Sequence, residues 1–237
     1  MNREQELEAN LEVVREKIEL ACQRAGRARA DVTLVAVSKT FPLADIEVVR
    51  ALGVADFGES YIQEWREKVE SASDGLRWHL IGHLQSNKVK YIRGRAALVH
   101  SVDRASLLRE LDKRSEPGAE ILLQVNVGRD ANKSGADPEQ VIDLLDAATA
   151  AENLRVVGLM TIPPITASAE EARPFFKALR EARELCLETL DARGLLDRHP
   201  CQHLSMGMSS DYVEAIEEGA TIVRVGSSIF GRRSYAV

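Results

Sequence analysis

The chain has 237 residues, 45% of them hydrophobic and 29% charged, with a formal net charge of −6. That is enough apolar material for a sizeable core, and basic residues scattered without a tract exclude a nucleic-acid backbone as a natural partner. Cys22, Cys186 and Cys201 have the spacing of neither a disulfide framework nor a zinc site, the N-terminal residues lack the apolar centre of a signal peptide, and no apolar run is long enough to cross a bilayer, so a soluble cytoplasmic protein is expected.

Leu7, Leu11, Val14, Ile18 and Cys22 recur at helical spacing and Gly26 follows, which predicts an amphipathic helix ahead of the first strand. The run Val-Thr-Leu-Val-Ala-Val-Ser-Lys-Thr at 32–40 is almost unbroken in its apolarity, as a strand covered on both faces would be, and it ends in a single amine, Lys39. Pro42 can sit in the first turn of a helix whose buried stripe is Ile46, Val49 and Leu52. A short strand at 54–57 leads into the corner at 58–60 and a helix to about residue 69. Residues 76–81 read as a third strand, and the turn from Gly82 leads into a helix ending before Gly94.

Residues 97–102 form the fourth strand, with Asp103 as the expected cap of a helix carrying Leu107, Leu108 and Leu111. The fifth, 120–127, runs into a polar loop at 128–135 that could serve as a lid; Lys133 in it could close over a ligand, although a mobile surface lysine is the preferred reading. Asp137-Pro138-Glu139-Gln140 then has the cap and first-turn proline of a well-defined helix start. Strand six is expected at 155–161. Ser168 and Glu171 have the spacing of a capping box, opening a long helix with Phe176, Leu179, Cys186 and Leu190 buried and Phe175-Phe176 read as a core pair. Strands seven and eight are expected at 203–206 and 221–225, with a short helix at 210–218 between them.

Eight strand-then-helix units without a linker or a composition break argue for a single (β/α)₈ barrel over residues 1–237 with an extra N-terminal helix; an open doubly wound sheet is the alternative. In a barrel the C-terminal strand ends gather Lys39, the corner at 58–60, His83, Asn126, Thr161, Ser205 and Arg224 at one mouth. The stretches Leu-Ser-Met-Gly-Met-Ser-Ser-Asp at 204–211 and Val-Arg-Val-Gly-Ser-Ser-Ile-Phe-Gly at 223–231 place small residues where free backbone N–H groups can surround a phosphate. The loops after the last two strands are the usual phosphate position in barrels. The same glycines and serines also suit ordinary turns and caps, and Lys39 could simply reach water. Asp211 would repel a bound anion, so it is expected to point to solvent. His79 and His83 lack a zinc motif, and Arg232-Arg233 reads as a solvated tail. An amine, a phosphate cradle and Arg224 at one mouth suit one ligand class, pyridoxal 5′-phosphate. Its aldehyde takes the lysine as a Schiff base, and its ring nitrogen accepts a hydrogen bond from an arginine that does not give up its proton.

Val-Ala-Val-Ser-Lys-Thr at 35–40, Phe-Gly-Glu-Ser-Tyr at 57–61, Trp-His-Leu-Ile-Gly-His-Leu-Gln-Ser-Asn-Lys at 78–88, Gly-Leu-Met-Thr at 158–161 and the two late glycine stretches resemble, in order, the YggS/PROSC family of pyridoxal phosphate homeostasis proteins. The resemblance implies a barrel like that of bacterial alanine racemase and a role in vitamin B6 and amino-acid homeostasis. It also implies cofactor binding without robust catalysis, with amino acids and client enzymes as partners, and a monomer is expected. It assigns the cofactor lysine to Lys39, the ring-nitrogen arginine to Arg224, and the phosphate contacts to Ser209, Gly226 and Ser227 with Met208 beside them. Ser60 departs from the asparagine usual in the family, which puts any contact of that amide in doubt. The rivals are a pyridoxal-phosphate-dependent amino-acid racemase, which would need a second base on the opposite face of the cofactor, and a Schiff-base aldolase with no cofactor.

Overall fold

Residues 2–130 and 133–232 are described by a computed structural model, and Arg233 with part of the 128–135 loop lies outside them. Helix α1 (Arg3–Arg24) comes first, opened by a reciprocal box in which Asn2 Oδ1 accepts from the Gln5 N–H at 2.9 Å. Strands β1 (Thr33–Val37), β2 (Asp56–Glu59), β3 (Arg77–Leu80), β4 (Ala96–Val102), β5 (Ala119–Gln124), β6 (Leu154–Met160), β7 (His203–Ser205) and β8 (Ile222–Val225) are parallel and close in sequence order. β8 pairs back to β1 with Val35 opposite Arg224, so the expected barrel is the observed one. Between the strands run α2 (Leu43–Ala51), α3 (Ile62–Ser71), α4 (Ala105–Arg114), α5 (Val141–Thr149), α6 (Arg173–Ala192) and α7 (Tyr212–Glu217), and α8 (Ser227–Phe230) follows β8.

The core has two compartments. Val35, Leu98, Leu122, Val157, Met160 and Ile222 fill the barrel interior, while the larger cluster lies between strands and helices. Alternation along β8 sends Val223 and Val225 outward and Ile222 inward, which leaves Arg224 facing the interior. With α8 only four residues long, α1 lies against α8, α7 and α2 and buries Leu7, Leu11, Val14 and Ile18 there. It does the work of a long eighth helix.

Several expectations change in detail. The segment after Gly82 forms a 3₁₀ turn, Ser86–Tyr91, and no α-helix: its buried residues Val89 and Ile92 are three apart, which suits that tighter winding. β5 stops at Gln124: the Val125 N–H still donates to the Met160 carbonyl of β6, but the Asn126 N–H turns to the returning chain and donates to the Ala136 carbonyl at 2.8 Å. Asp103 is no cap, since its carboxylate is taken by the Arg104 guanidinium, and Asp137 makes no capping bond. The Ser168 box is offset by one residue: Glu171 accepts from the Ala167 N–H and a 3₁₀ turn at Glu170–Ala172 precedes α6. Phe176 is fully buried, but Phe175 is half-exposed and the two are no core pair. Among the described residues no helix is long and apolar enough to cross a membrane.

Candidate functional site

The C-terminal strand ends open on a cavity of about 430 Å³. Its lining brings together Lys39, Met208, Ser209, Arg224, Gly226 and Ser227, with Ser60 and the apolar Val37, Ile81 and Ile162. On one wall, two loops converge. Ser209 Oγ accepts from the Gly226 N–H at 3.1 Å and the Ser228 N–H at 3.3 Å, so backbone donors of the last loop already point at a single oxygen. The close approach depends on two glycines. Gly207 has φ +89° and a Cβ there would lie 2.6 Å from that of Ala215; a Cβ on Gly226 would lie 3.2 Å from the Val37 carbonyl oxygen.

Asp211 corrects an expectation. It is buried, and its Oδ1 accepts from the Met208 N–H at 2.6 Å while its own N–H donates to the Met208 carbonyl. The carboxylate is spent on shaping its own loop. Burial raises its pKa, opposed by the Met208 hydrogen bond and the charge of Arg224.

Arg224 lies at the floor of the cavity, 4% exposed, donating to Ser205 Oγ at 2.7 Å and to the Thr161 carbonyl at 2.8 Å. Burial lowers its guanidinium to about 10, which leaves it charged at neutral pH. Below it a buried chain continues down the barrel: Ser205 Oγ to His100 Nδ1 at 2.9 Å, His100 Nε2 to His79 Nδ1 at 2.9 Å, and His79 Nε2 to Asp56 Oδ1 at 2.9 Å. Burial, and the facing His79, Arg224 and His203, push His100 well below the ordinary histidine value, so it is neutral.

A second lobe of about 450 Å³ shares Lys39, Ser60, Ile81 and Ile162 with the first and adds His83, Gln124 and Lys133. Lys133 is not the solvated lysine expected: its Nζ reaches across to the Pro163 carbonyl at 2.6 Å. His83 lies 3.2 Å from Ser134 Oγ.

Residues 6–234 match the family of the alanine racemase N-terminal domain. The chain is 42% identical over 226 residues to the pyridoxal phosphate homeostasis protein of Aquifex aeolicus, covering 94% of this chain and 96% of that one. It is 43% identical over 230 residues to the protein of the same name in Pseudomonas aeruginosa, covering 95% of each. The chain belongs to the pyridoxal phosphate homeostasis family. The structure of PipY from Synechococcus elongatus with pyridoxal phosphate bound superposes with a TM-score of 0.73 at 33% identity, over 92% of this chain and all of that one.

All six residues that the family resemblance assigns line the one cavity. Of the wider set expected at the mouth, Ser60 and His83 are there, whereas Thr161 Oγ1 donates to the Val125 carbonyl, Asn126 Nδ2 to the Asp130 carbonyl, and Ser205 lies beneath Arg224. Glu59 turns away altogether, fully buried against Lys68. Among the described residues no His, Cys, Asp and Glu cluster could hold a metal, and Arg232 is exposed, as a solvated tail would be. Sequence reasoning missed the His79–His100 pair and Lys68. The signal for Lys68 was its place on α3, three residues after Trp65, among residues that face the barrel.

Proposed function

We propose that this protein binds pyridoxal 5′-phosphate through Lys39 and acts in the homeostasis of that cofactor and of amino acids, as a carrier without robust turnover. The observation that carries the reading is one cavity lined by an amine, a buried guanidinium and two loops, the last of which aims two backbone N–H groups at a single serine oxygen of the other. The fit rests on Ser209 Oγ, an oxygen acceptor seated where backbone donors converge, as a phosphate oxygen would be. Ser209, Gly226 and Ser227 would hold the phosphate with Met208 beside them, Arg224 would face the ring nitrogen, and Lys39 would supply the amine. When bound, the group supplies an aldehyde carbon that condenses reversibly with primary amines.

Arg224 only donates, so it offers the ring nitrogen a hydrogen bond and leaves it without a proton of its own. That weakens the ring as an electron sink and disfavours carbanion chemistry. A racemase also needs a second acid–base group facing the reacting carbon, and among the described residues lining the first cavity the charge-bearing side chains are Lys39, the proposed cofactor amine, and Arg224, which stays charged at neutral pH. A monomer is part of this proposal, because the six assigned residues already line one cavity and the reading calls for no residue from a neighbour.

The protein incubated with pyridoxal 5′-phosphate is expected to gain a visible absorbance band and, after borohydride, a mass increase of one cofactor per chain; Lys39→Ala loses both. No band in the wild type, or a band that survives in Lys39→Ala, overturns the assignment. Chiral chromatography after incubation with L-amino acids separates carrier from racemase, since turnover well above that of free cofactor would support the enzyme.

A further inference from the structure

Lys39 sits in a turn that a sequence would not choose. The Phe41 N–H donates to the Ser38 carbonyl at 3.0 Å, which makes Lys39 and Thr40 the central pair of a four-residue turn. Thr40 has φ +69°. This is the left-handed position of a type II turn, normally glycine or asparagine, and a β-branched residue there is an outlier that persists only when its surroundings impose it.

The surroundings that impose it form one ionic cluster. Lys68 Nζ, on α3, donates to the Ser38 carbonyl at 2.8 Å, to Glu59 Oε1 at 2.7 Å and to Glu64 Oε2 at 3.0 Å. Ser38 Oγ donates to the same Glu59 oxygen at 2.7 Å, and the Thr40 N–H donates to Glu64 Oε2 at 2.6 Å. The residue before Lys39 and the residue after it are therefore gripped by carboxylates that a single buried ammonium joins. Glu59 depends on it: the side chain is fully buried, and its other oxygen, Oε2, has no hydrogen-bond partner among the described residues. Without the Lys68 charge, Glu59 has the Ser38 hydroxyl left as its donor and the Ser38 carbonyl loses its cation.

We propose that Lys68, acting through Glu59 and Glu64, is the positioning residue that holds the strained Ser38–Thr40 turn and so presents the Lys39 amine to an incoming aldehyde. This rests on the assignment of Lys39 as the cofactor amine. A residue that only supported the fold would affect every ligand of the cavity alike. A residue that positions the amine affects condensation and leaves recognition of the phosphate and ring in place.

Two probes separate these. Pyridoxal 5′-phosphate can condense with the amine; pyridoxine 5′-phosphate, with an alcohol in place of the aldehyde, can only be held. Lys68→Met is expected to bind pyridoxine 5′-phosphate as the wild type does while its condensation with pyridoxal 5′-phosphate, followed by the visible band, slows on the order of 10- to 100-fold. Lys68→Arg, which keeps a charged donor, recovers most of the rate. Condensation at the wild-type rate in Lys68→Met, or an equal loss with both probes, overturns the proposal. Should Lys68→Met not fold, Glu64→Gln leaves the Lys68–Glu59 pair intact and is expected to slow condensation alone; an unchanged rate there overturns the proposal as well. A wild type that binds pyridoxine 5′-phosphate but forms no band defeats the Lys39 assignment itself, a result distinct from any in the variants.

Discussion

Arginine can only donate a hydrogen bond and an ionised aspartate can only accept one, so the two ends of the buried chain from Arg224 to Asp56 fix the sense of its first and last bonds. Burial pushes the Asp56 carboxyl up, but hydrogen bonds from His79 and Arg77 outweigh it and hold the group below its ordinary value, hence ionised. His79 must then carry its proton on Nε2. Where His100 Nε2 donates to His79 Nδ1, neutral His100 accepts on Nδ1 from the Ser205 hydroxyl, and Ser205 Oγ accepts from Arg224. In that arrangement the donors all run one way, and each tautomer is set by its neighbour. Removing the middle of such a chain strands both halves. Ser205→Ala leaves a charged Arg224 donor and the His100 acceptor without their partner, and the expected loss of stability is about 1–3 kcal/mol, read from urea denaturation midpoints. Because Arg224 keeps its bond to the Thr161 carbonyl, the variant should still fold, and weaker pyridoxal 5′-phosphate binding would show that the arginine's aim had drifted. Undiminished stability would mean that water replaces the hydroxyl.

Among the elements, α1 has a task that its position in the chain conceals. Leu7, Leu11, Val14 and Ile18 are fully or almost fully buried, and the helix ends are fastened by Arg3 to Asp45 at 2.6 Å and by Arg27 to the Ile216 and Ala220 carbonyls at 2.9 and 2.8 Å. Leu11→Ala, which opens a cavity between α1 and the helices flanking β8, is expected to destabilise by about 2–5 kcal/mol in urea titrations. A loss below 1 kcal/mol would show that α1 is an ornament to a barrel that closes without it. The apolar stripe of α1, the strand runs and the terminal glycines were legible because burial writes itself into hydropathy at a fixed period. Lys39, Arg224 and the serines of the last loops were legible for another reason: they are chemistry-bearing residues at strand ends. What hydropathy could not convey is a charge that points inward. Asp211 was assigned to solvent and Glu59 to the mouth, yet each is buried beside a specific donor, the Met208 N–H and the Lys68 ammonium. The 3₁₀ turn at Ser86–Tyr91 escaped because a period of three and one of 3.6 are hard to tell apart over six residues.

At the scale of the whole molecule these inward-facing groups make stability depend on pH, and the sign follows from which state binds more protons. His100, His199 and His203 are all held below the ordinary histidine value of 6.5, chiefly by burial. As the pH falls through 6.5 the unfolded chain takes up protons on these rings before the folded chain can, so the folded state loses stability. Glu59 and Asp211 act in the opposite sense. Burial raises both above their ordinary values of 4.5 and 3.8, so the folded state binds their protons first on acidification; that effect belongs to the window immediately above the carboxylate range. Between pH 7 and about 5.5 the histidines therefore govern, each contributing a slope of at most about 1.4 kcal/mol per pH unit. The urea midpoint is expected to fall over that interval, and His100→Phe, which removes a proton-binding ring from the unfolded chain, should flatten the decline even if it lowers stability at pH 7. His100 is the ring to test because it is fully buried and lies in the chain beneath Arg224. A midpoint that stays level or rises below pH 6.5, or a slope unchanged in His100→Phe, would mean that the interior admits the proton without opening.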